Sequence, residues 1–201
     1  MQLLPFTCGP AALIRLLRDR GFDTPDSLQE QIAIWRTANI VAVSDEPAAC
    51  SGEGLVIAAD DRGLRLRLYS ARPLDFTDTL RDPDKRELIQ TVVADQRAEL
   101  VRRGLAPERF DLAEPAFAAR LDAAEDFIVL VRQTYLSRHL DYHWIFARRI
   151  GADVRVYDPY LPHYDNVKRD LARSGDCFTV PFAQLLAMSR LNGGRDRLWL
   201  F

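Results

Sequence analysis

From Cys8 to Arg20 the chain is apolar at nearly every early position (Ala11, Ala12, Leu13, Ile14, Leu16, Leu17), and charge enters only with Arg15, Arg18 and Asp19. That pattern predicts a buried helix with Thr7 as N-cap, Gly9-Pro10 in its first turn and Gly21 as its stop. A second helix is predicted over Ser27–Thr37, with Ser27 and Glu30 as a capping box and Leu28, Gln31, Ile32 and Trp35 along one face. Gly54–Asp61 predicts a short helix, and Leu64–Tyr69 alternates as a strand does. The longest helix, Lys85–Arg103, carries an apolar stripe of Leu88, Ile89, Val92, Val93, Leu100 and Val101, and Pro115–Ala124 adds a short amphipathic piece.

Beyond residue 125 the pattern changes to strands: Phe127–Arg132, His143–Ile150, Val154–Tyr157, Phe178–Val180 and Arg197–Phe201, with a helix at Phe182–Met188. Only Gly151-Ala152-Asp153 separates two of these strands, which makes them a hairpin. Helices first and an antiparallel sheet afterwards predict an α+β fold, and no linker-like stretch divides residues 1–201, so a single domain is expected.

Composition narrows the function classes. Hydrophobic residues make up 48% and charged residues 28% of 201, so a globular chain is expected rather than a disordered or fibrous one. No run reaches the roughly 20 apolar residues of a membrane span, and the start lacks the pattern of a signal peptide. A net charge of −2 gives no electrostatic case for a nucleic-acid or membrane partner. Only Lys85 and Lys168 are lysines, which reads as the coding bias of a GC-rich bacterium. Three cysteines, Cys8, Cys50 and Cys177, imply free thiols in a reducing compartment, hence a cytoplasmic protein.

The chemistry concentrates at few positions. Cys8 begins a buried helix, whose partial positive charge and free N–H groups favour a thiolate. A thiolate nucleophile needs an imidazole, and the imidazole needs an orienter. His143 opens one strand of the hairpin and Asp158 closes the other. A turn centred on Gly151-Ala152 pairs positions whose numbers sum to roughly 301 to 303, which brings the two opposite or nearly opposite each other. Gln2, six residues before Cys8, supplies a side-chain amide that can join the Cys8 N–H in holding an oxyanion, although it stands where chain ends fray. Cys50 and Cys177 read as inert thiols. Zinc held by His139, Asp141 and His143 would need a helix to align the two histidines, and this stretch opens a strand, so no metal is expected; His163 reads as a surface residue.

Taken together, Gln2-x5-Cys8-Gly9-Pro10-Ala11-Ala12-Leu13, His143-Trp144-Ile145 and Tyr157-Asp158-Pro159 resemble the C39-type bacteriocin-processing cysteine peptidases. The resemblance is closer to the stand-alone peptidase C39-like branch, the DUF3335 group. There a Trp-Arg helix precedes a Gly-Leu-x-x-Ala-Ala helix, as Trp35-Arg36 and Gly54-Leu55-Val56-Ile57-Ala58-Ala59 do here, and the end of this chain, Val180-Pro181-Phe182 to Met188-Ser189-Arg190, is also similar. Asp45-Glu46-Pro47-Ala48-Ala49 departs from the Gly- and His-rich loop of that branch. The resemblance implies a papain-like fold, no cofactor, a peptide or protein substrate, and Cys8, His143, Asp158 and Gln2 as the catalytic set. Two other uses of the site stay open: acyl or aminoacyl transfer or cyclisation, with an amine replacing water, and non-catalytic peptide binding.

Overall fold

The structure is a computed structural model that describes residues 1–40, 50–70, 82–109, 115–132, 142–160, 173–174, 177–191 and 198–201. Among these, α1 (Cys8–Asp19), α2 (Leu28–Ala38) and α3 (Gly52–Asp60) come first. Then follow β1 (Leu68–Ser70), α4 (Pro83–Arg102), β2 (Glu108–Arg109), α5 (Pro115–Ala123), β3 (Asp126–Arg132), β4 (Tyr142–Ile150) and β5 (Asp153–Tyr157). The chain finishes with β6 (Arg173–Ser174), β7 (Cys177–Pro181), α6 (Phe182–Met188) and β8 (Leu198–Leu200).

The strands form one sheet in the order β2-β1-β8-β3-β4-β5-β7-β6. All its pairings are antiparallel except β1 with β2, which is parallel. The expected antiparallel sheet is therefore a mixed one by virtue of a two-residue edge strand too short to leave a pattern. The architecture is α+β.

Strand alternation divides the core in two. Ile128 and Leu130 of β3 join Trp144 and Phe146 of β4 beneath α1, whose Leu13, Leu16 and Leu17 are fully buried. Phe127, Val129 and Val131, with Ile145 and Ala147, form the opposite face with Leu185 and Met188 of α6. Because both faces of β3 and β4 are covered, these strands read as continuous apolar runs. Each α1 leucine buried this way contributes about 1.5–3 kcal/mol of transfer free energy.

Expectations for three of the helices change. Thr7 occupies the N-cap position of α1 but makes no side-chain cap bond; tertiary partners, described below, take its hydroxyl instead. In α2, Ser27 caps the Glu30 N–H at 3.2 Å as expected, but the Glu30 carboxylate turns to Arg62 at 2.6 Å rather than closing the box. The buried face of α2 is Gln31, Ile34 and Ala38, and Leu28 is exposed. In α4 only Val93 and Leu100 are buried, while Val101 is 59% exposed. Polar contacts do much of the anchoring of α4: Gln96 donates to Thr37 O at 3.0 Å and accepts from Ser51 at 2.6 Å, and Arg97 pairs with Glu53 at 2.5 Å.

Candidate active site

Cys8 is the first residue of α1, and Gly9 allows that helix start to press on α3. A Cβ at Gly9 would lie 3.1 Å from Leu55 Cδ1 and 3.2 Å from Cys50 Cβ. Pro10 follows within the first turn, where no intrahelical N–H is needed. Thr7 makes no side-chain cap bond to the start of α1. The Gly9 N–H points back to the Cys8 sulfur.

The β4–β5 ladder runs from Ile150↔Asp153 to Phe146↔Tyr157 and stops there. Its register sum of 303 sets Asp158 one diagonal away from His143. Beyond the last pair the two strands part, and the backbone N–H of Trp144 donates to the Cys8 sulfur. By alternation His143 shares its parity with Ile145 and Ala147, so it meets Cys8 over the end of the sheet rather than on the face where α1 lies.

His143 is 4% exposed and Asp158 fully buried. Asp158 Oδ1 lies 2.6 Å from His143 Nε2 and accepts the Tyr160 N–H at 2.8 Å, which aims the carboxylate at the ring. With Nε2 engaged, Nδ1 is the nitrogen left for the hydrogen bond between His143 and Cys8.

Burial alone raises a thiol pKa. For Cys8 the His143 hydrogen bond and charge, with the Trp144 and Gly9 N–H groups, outweigh burial and leave the thiol below its ordinary value. Burial disfavours charge on His143 too, yet the Asp158 charge and hydrogen bond, aided by Cys8, raise it to about 10. The arrangement favours a thiolate–imidazolium pair.

Gln2 is 3% exposed. Its backbone N–H donates to Pro159 O at 3.0 Å, and its side-chain Nε2 donates to Leu4 O at 2.7 Å, with one further N–H left on that nitrogen. The terminal ammonium pairs with Asp26 at 3.3 Å. The described residues supply no donor to Gln2 Oε1.

Cys50 is buried beside this site. Burial, then the charge of Cys8, pushes its thiol well above the ordinary value, and its carbonyl accepts the Trp144 indole N–H at 3.0 Å. Trp144 thus contacts Cys8 through its backbone and Cys50 through its side chain. Neither contact has a signature in the sequence, because one uses a main-chain donor and the other a main-chain acceptor. Cys177 lies on β7, half-buried, and all three thiols are free. His139, Asp141, His163 and Asp45–Ala49 lie outside the described residues. Among those described, no three His, Cys, Asp or Glu side chains gather as metal ligands, and no helix is long and apolar enough to cross a membrane.

A helix that begins on a cysteine, packed on a sheet whose strand ends bring a histidine–aspartate pair to that cysteine, defines a papain-like α+β fold. The family model described as the Peptidase C39-like family matches residues 1–199, and the chain belongs to that family. No curated protein matches it.

Proposed function

We propose that the chain is a single-domain cysteine peptidase that hydrolyses a peptide amide through Cys8, His143 and Asp158, with Gln2 as an oxyanion donor. The observation that carries this is the buried line from Cys8 through His143 to Asp158, closed by the 2.6 Å contact. The Cys8 thiolate attacks the carbonyl carbon, and the Cys8 N–H and the spare Gln2 N–H receive the developing oxyanion. His143, as imidazolium, gives its proton to the leaving amine as the C–N bond breaks, leaving a thioester on Cys8. Neutral His143 then takes a proton from water, whose oxygen attacks the thioester. The acid departs, the sulfur leaves as thiolate and the imidazolium is restored. Asp158 holds the ring throughout. The residues need no cofactor for this sequence, and the free thiols suit a cytoplasmic setting.

Acyl transfer to an amine from a carboxylate-bearing or carrier-bound donor would be favoured by an enclosed, arginine-lined cleft at the thiol. Among the described residues a cleft of about 90 Å³ brings Arg15 and Arg18 together with Asp158 and Pro159, whereas the cleft of about 850 Å³ with Arg20, Arg120, Arg148 and Arg149 lies at the C-terminal end of α1, about 17 Å of helix from Cys8. Three of those arginines are paired with Asp19, Asp122 or Asp126. The hydrolytic reading is tested by incubating the protein and its Cys8→Ala variant with an unbiased peptide library. Cleavage by the first alone is expected; identical product profiles from the two would overturn it.

A further inference from the structure

Gln31 is the one polar side chain on the buried face of α2, fully buried beside Ile34 and Ala38. A buried carboxamide is costly unless its hydrogen bonds are made. Those of Gln31 all go to one segment far away in the chain. Its Oε1 accepts the Leu3 N–H at 3.1 Å and the Thr7 hydroxyl at 2.8 Å, and its Nε2 donates to Met1 O at 2.6 Å. One side chain thereby fixes residues 1, 3 and 7, which bracket Gln2 and lead directly into Cys8.

The linkage continues to the amide of Gln2. Thr7, held by Gln31, donates its backbone N–H to Leu4 O at 3.1 Å, and its hydroxyl accepts the Leu4 N–H at 3.2 Å. Leu4 O is the acceptor that orients Gln2 Nε2 at 2.7 Å. The Leu4 carbonyl thus stands between two groups, one locked by α2 and the other the oxyanion donor.

We propose that Gln31 is a positioning residue for the oxyanion site, holding the residue 1–7 segment so that the spare Gln2 N–H faces the carbonyl under attack at Cys8. This rests on the peptidase function proposed above. Gln31 touches no reacting atom; it acts through Thr7 and Leu4.

The test compares two reactions of the same thiol. Iodoacetamide alkylates Cys8 by displacement of iodide and forms no oxyanion. p-Nitrophenyl acetate acylates it: the S–C bond forms through a tetrahedral oxyanion, the C–O bond breaks and p-nitrophenolate leaves. In Gln31→Leu the alkylation rate and its pH profile should stay within about twofold of the parent, while acylation falls about 10- to 100-fold, as for a misplaced donor. Gln31→Glu supplies a second readout. Its carboxylate can accept from Leu3 and Thr7 but cannot donate to Met1 O until protonated. Its acylation rate relative to the parent should therefore rise as pH falls from about 8 to about 5, a buried carboxyl titrating above its usual 4.3. If the leucine variant fails to fold, the glutamate variant carries the test alone.

Unchanged acylation in Gln31→Leu, or a pH-independent ratio in Gln31→Glu, overturns the positioning role. So does a parallel loss of alkylation and acylation in a folded variant, which marks a purely structural clamp. A parent protein that is alkylated at Cys8 but never acylated overturns the peptidase function itself, and the positioning role with it.

Discussion

The backbone N–H of Gln2 donates to the carbonyl of Pro159 at 3.0 Å, so the residue before the nucleophile loop is bonded to the residue after Asp158. The start of the chain and the end of β5 are thereby one piece of structure. Gln2 is held at both its backbone and its side chain.

Gln2→Ala removes the proposed donor while leaving that backbone bond intact. Turnover of a cleaved peptide should fall about 10²–10³-fold, the usual cost of one oxyanion donor. Alkylation of Cys8 by iodoacetamide should be unchanged, because displacement builds no oxyanion. The side chain gives up one hydrogen bond but also an unpartnered oxygen, so the urea midpoint should shift little. Equal losses in both reactions would place Gln2 in the fold of the loop rather than at the oxyanion.

The Cys8–His143 pair predicts a pH profile. Cys8 lies below the ordinary thiol value of 9.0, and His143 is raised to about 10. Alkylation should rise at lower pH than it does for an ordinary thiol. His143→Ala removes the imidazolium and leaves burial to dominate, so the thiol should move up and alkylation at neutral pH should slow about 10-fold or more. The sign for stability follows from His143. A cation whose folded pKa is raised contributes fully below its unfolded value of 6.5 and loses that contribution as pH rises through about 10. The lowered Cys8 thiol acts with the opposite sign below its ordinary value of 9.0 and offsets this there, so melting temperatures of the parent should fall mainly as pH rises from about 9 to about 10.

Period-two alternation explains why His143 and Asp158 could be paired from the sequence: a tight turn fixes the register, and a one-diagonal error keeps both side chains on the same parity. The buried stripe of α2 is less legible. The sequence pattern joins Gln31 to Leu28, Ile32 and Trp35, and only the packed partners decide that Ile34 and Ala38 are the residues buried with it. Gln31 bonds residues 24 to 30 positions away, in a segment with no periodicity. The same long-range partner draws away the Thr7 hydroxyl, and so the local capping rule fails there. Trp144 acts at Cys8 through its main chain, which every residue type shares.

Asp158 carries a charge and a direction, and two substitutions separate them. Asp158→Ala loses both, leaving the imidazole buried without its acceptor, and turnover should fall about 10²–10⁴-fold. Asp158→Asn keeps an oxygen that can accept from His143 Nε2 and Tyr160 N–H but loses the charge that raises His143. Its alkylation profile should shift to higher pH by more than its maximal rate falls. An asparagine variant with the parent's profile would show that orientation alone matters. The readouts are iodoacetamide kinetics and peptide turnover on the same preparations.

Gly54 tests how tightly the wall behind Cys8 is built. A Cβ at Gly54 would sit 2.4 Å from Ala38 Cα, 2.9 Å from Ser51 Oγ and 2.9 Å from Gln96 Nε2. The first of these is backbone, so Gly54→Ala cannot be relieved by a side-chain rotation: α2 and α3 must separate. Separation strains the Ser51 cap of α3 and the Gln96 bonds to Thr37 and Asn39, and it shifts Cys50, which packs against Gly9. Overpacking of this kind costs about 1–3 kcal/mol, and alanine's helix preference of about 1 kcal/mol over glycine recovers only part of it. Gly54→Ala should therefore lower the urea midpoint. Gly21→Ala, at a positive φ of 84° with open space around its Cβ, should cost only the strain of that backbone conformation. Because α3 backs the start of α1, the Gly54 variant should also slow Cys8 acylation where Gly21→Ala does not. A Gly54→Ala protein as stable as the parent would mean that α2 and α3 separate at little cost.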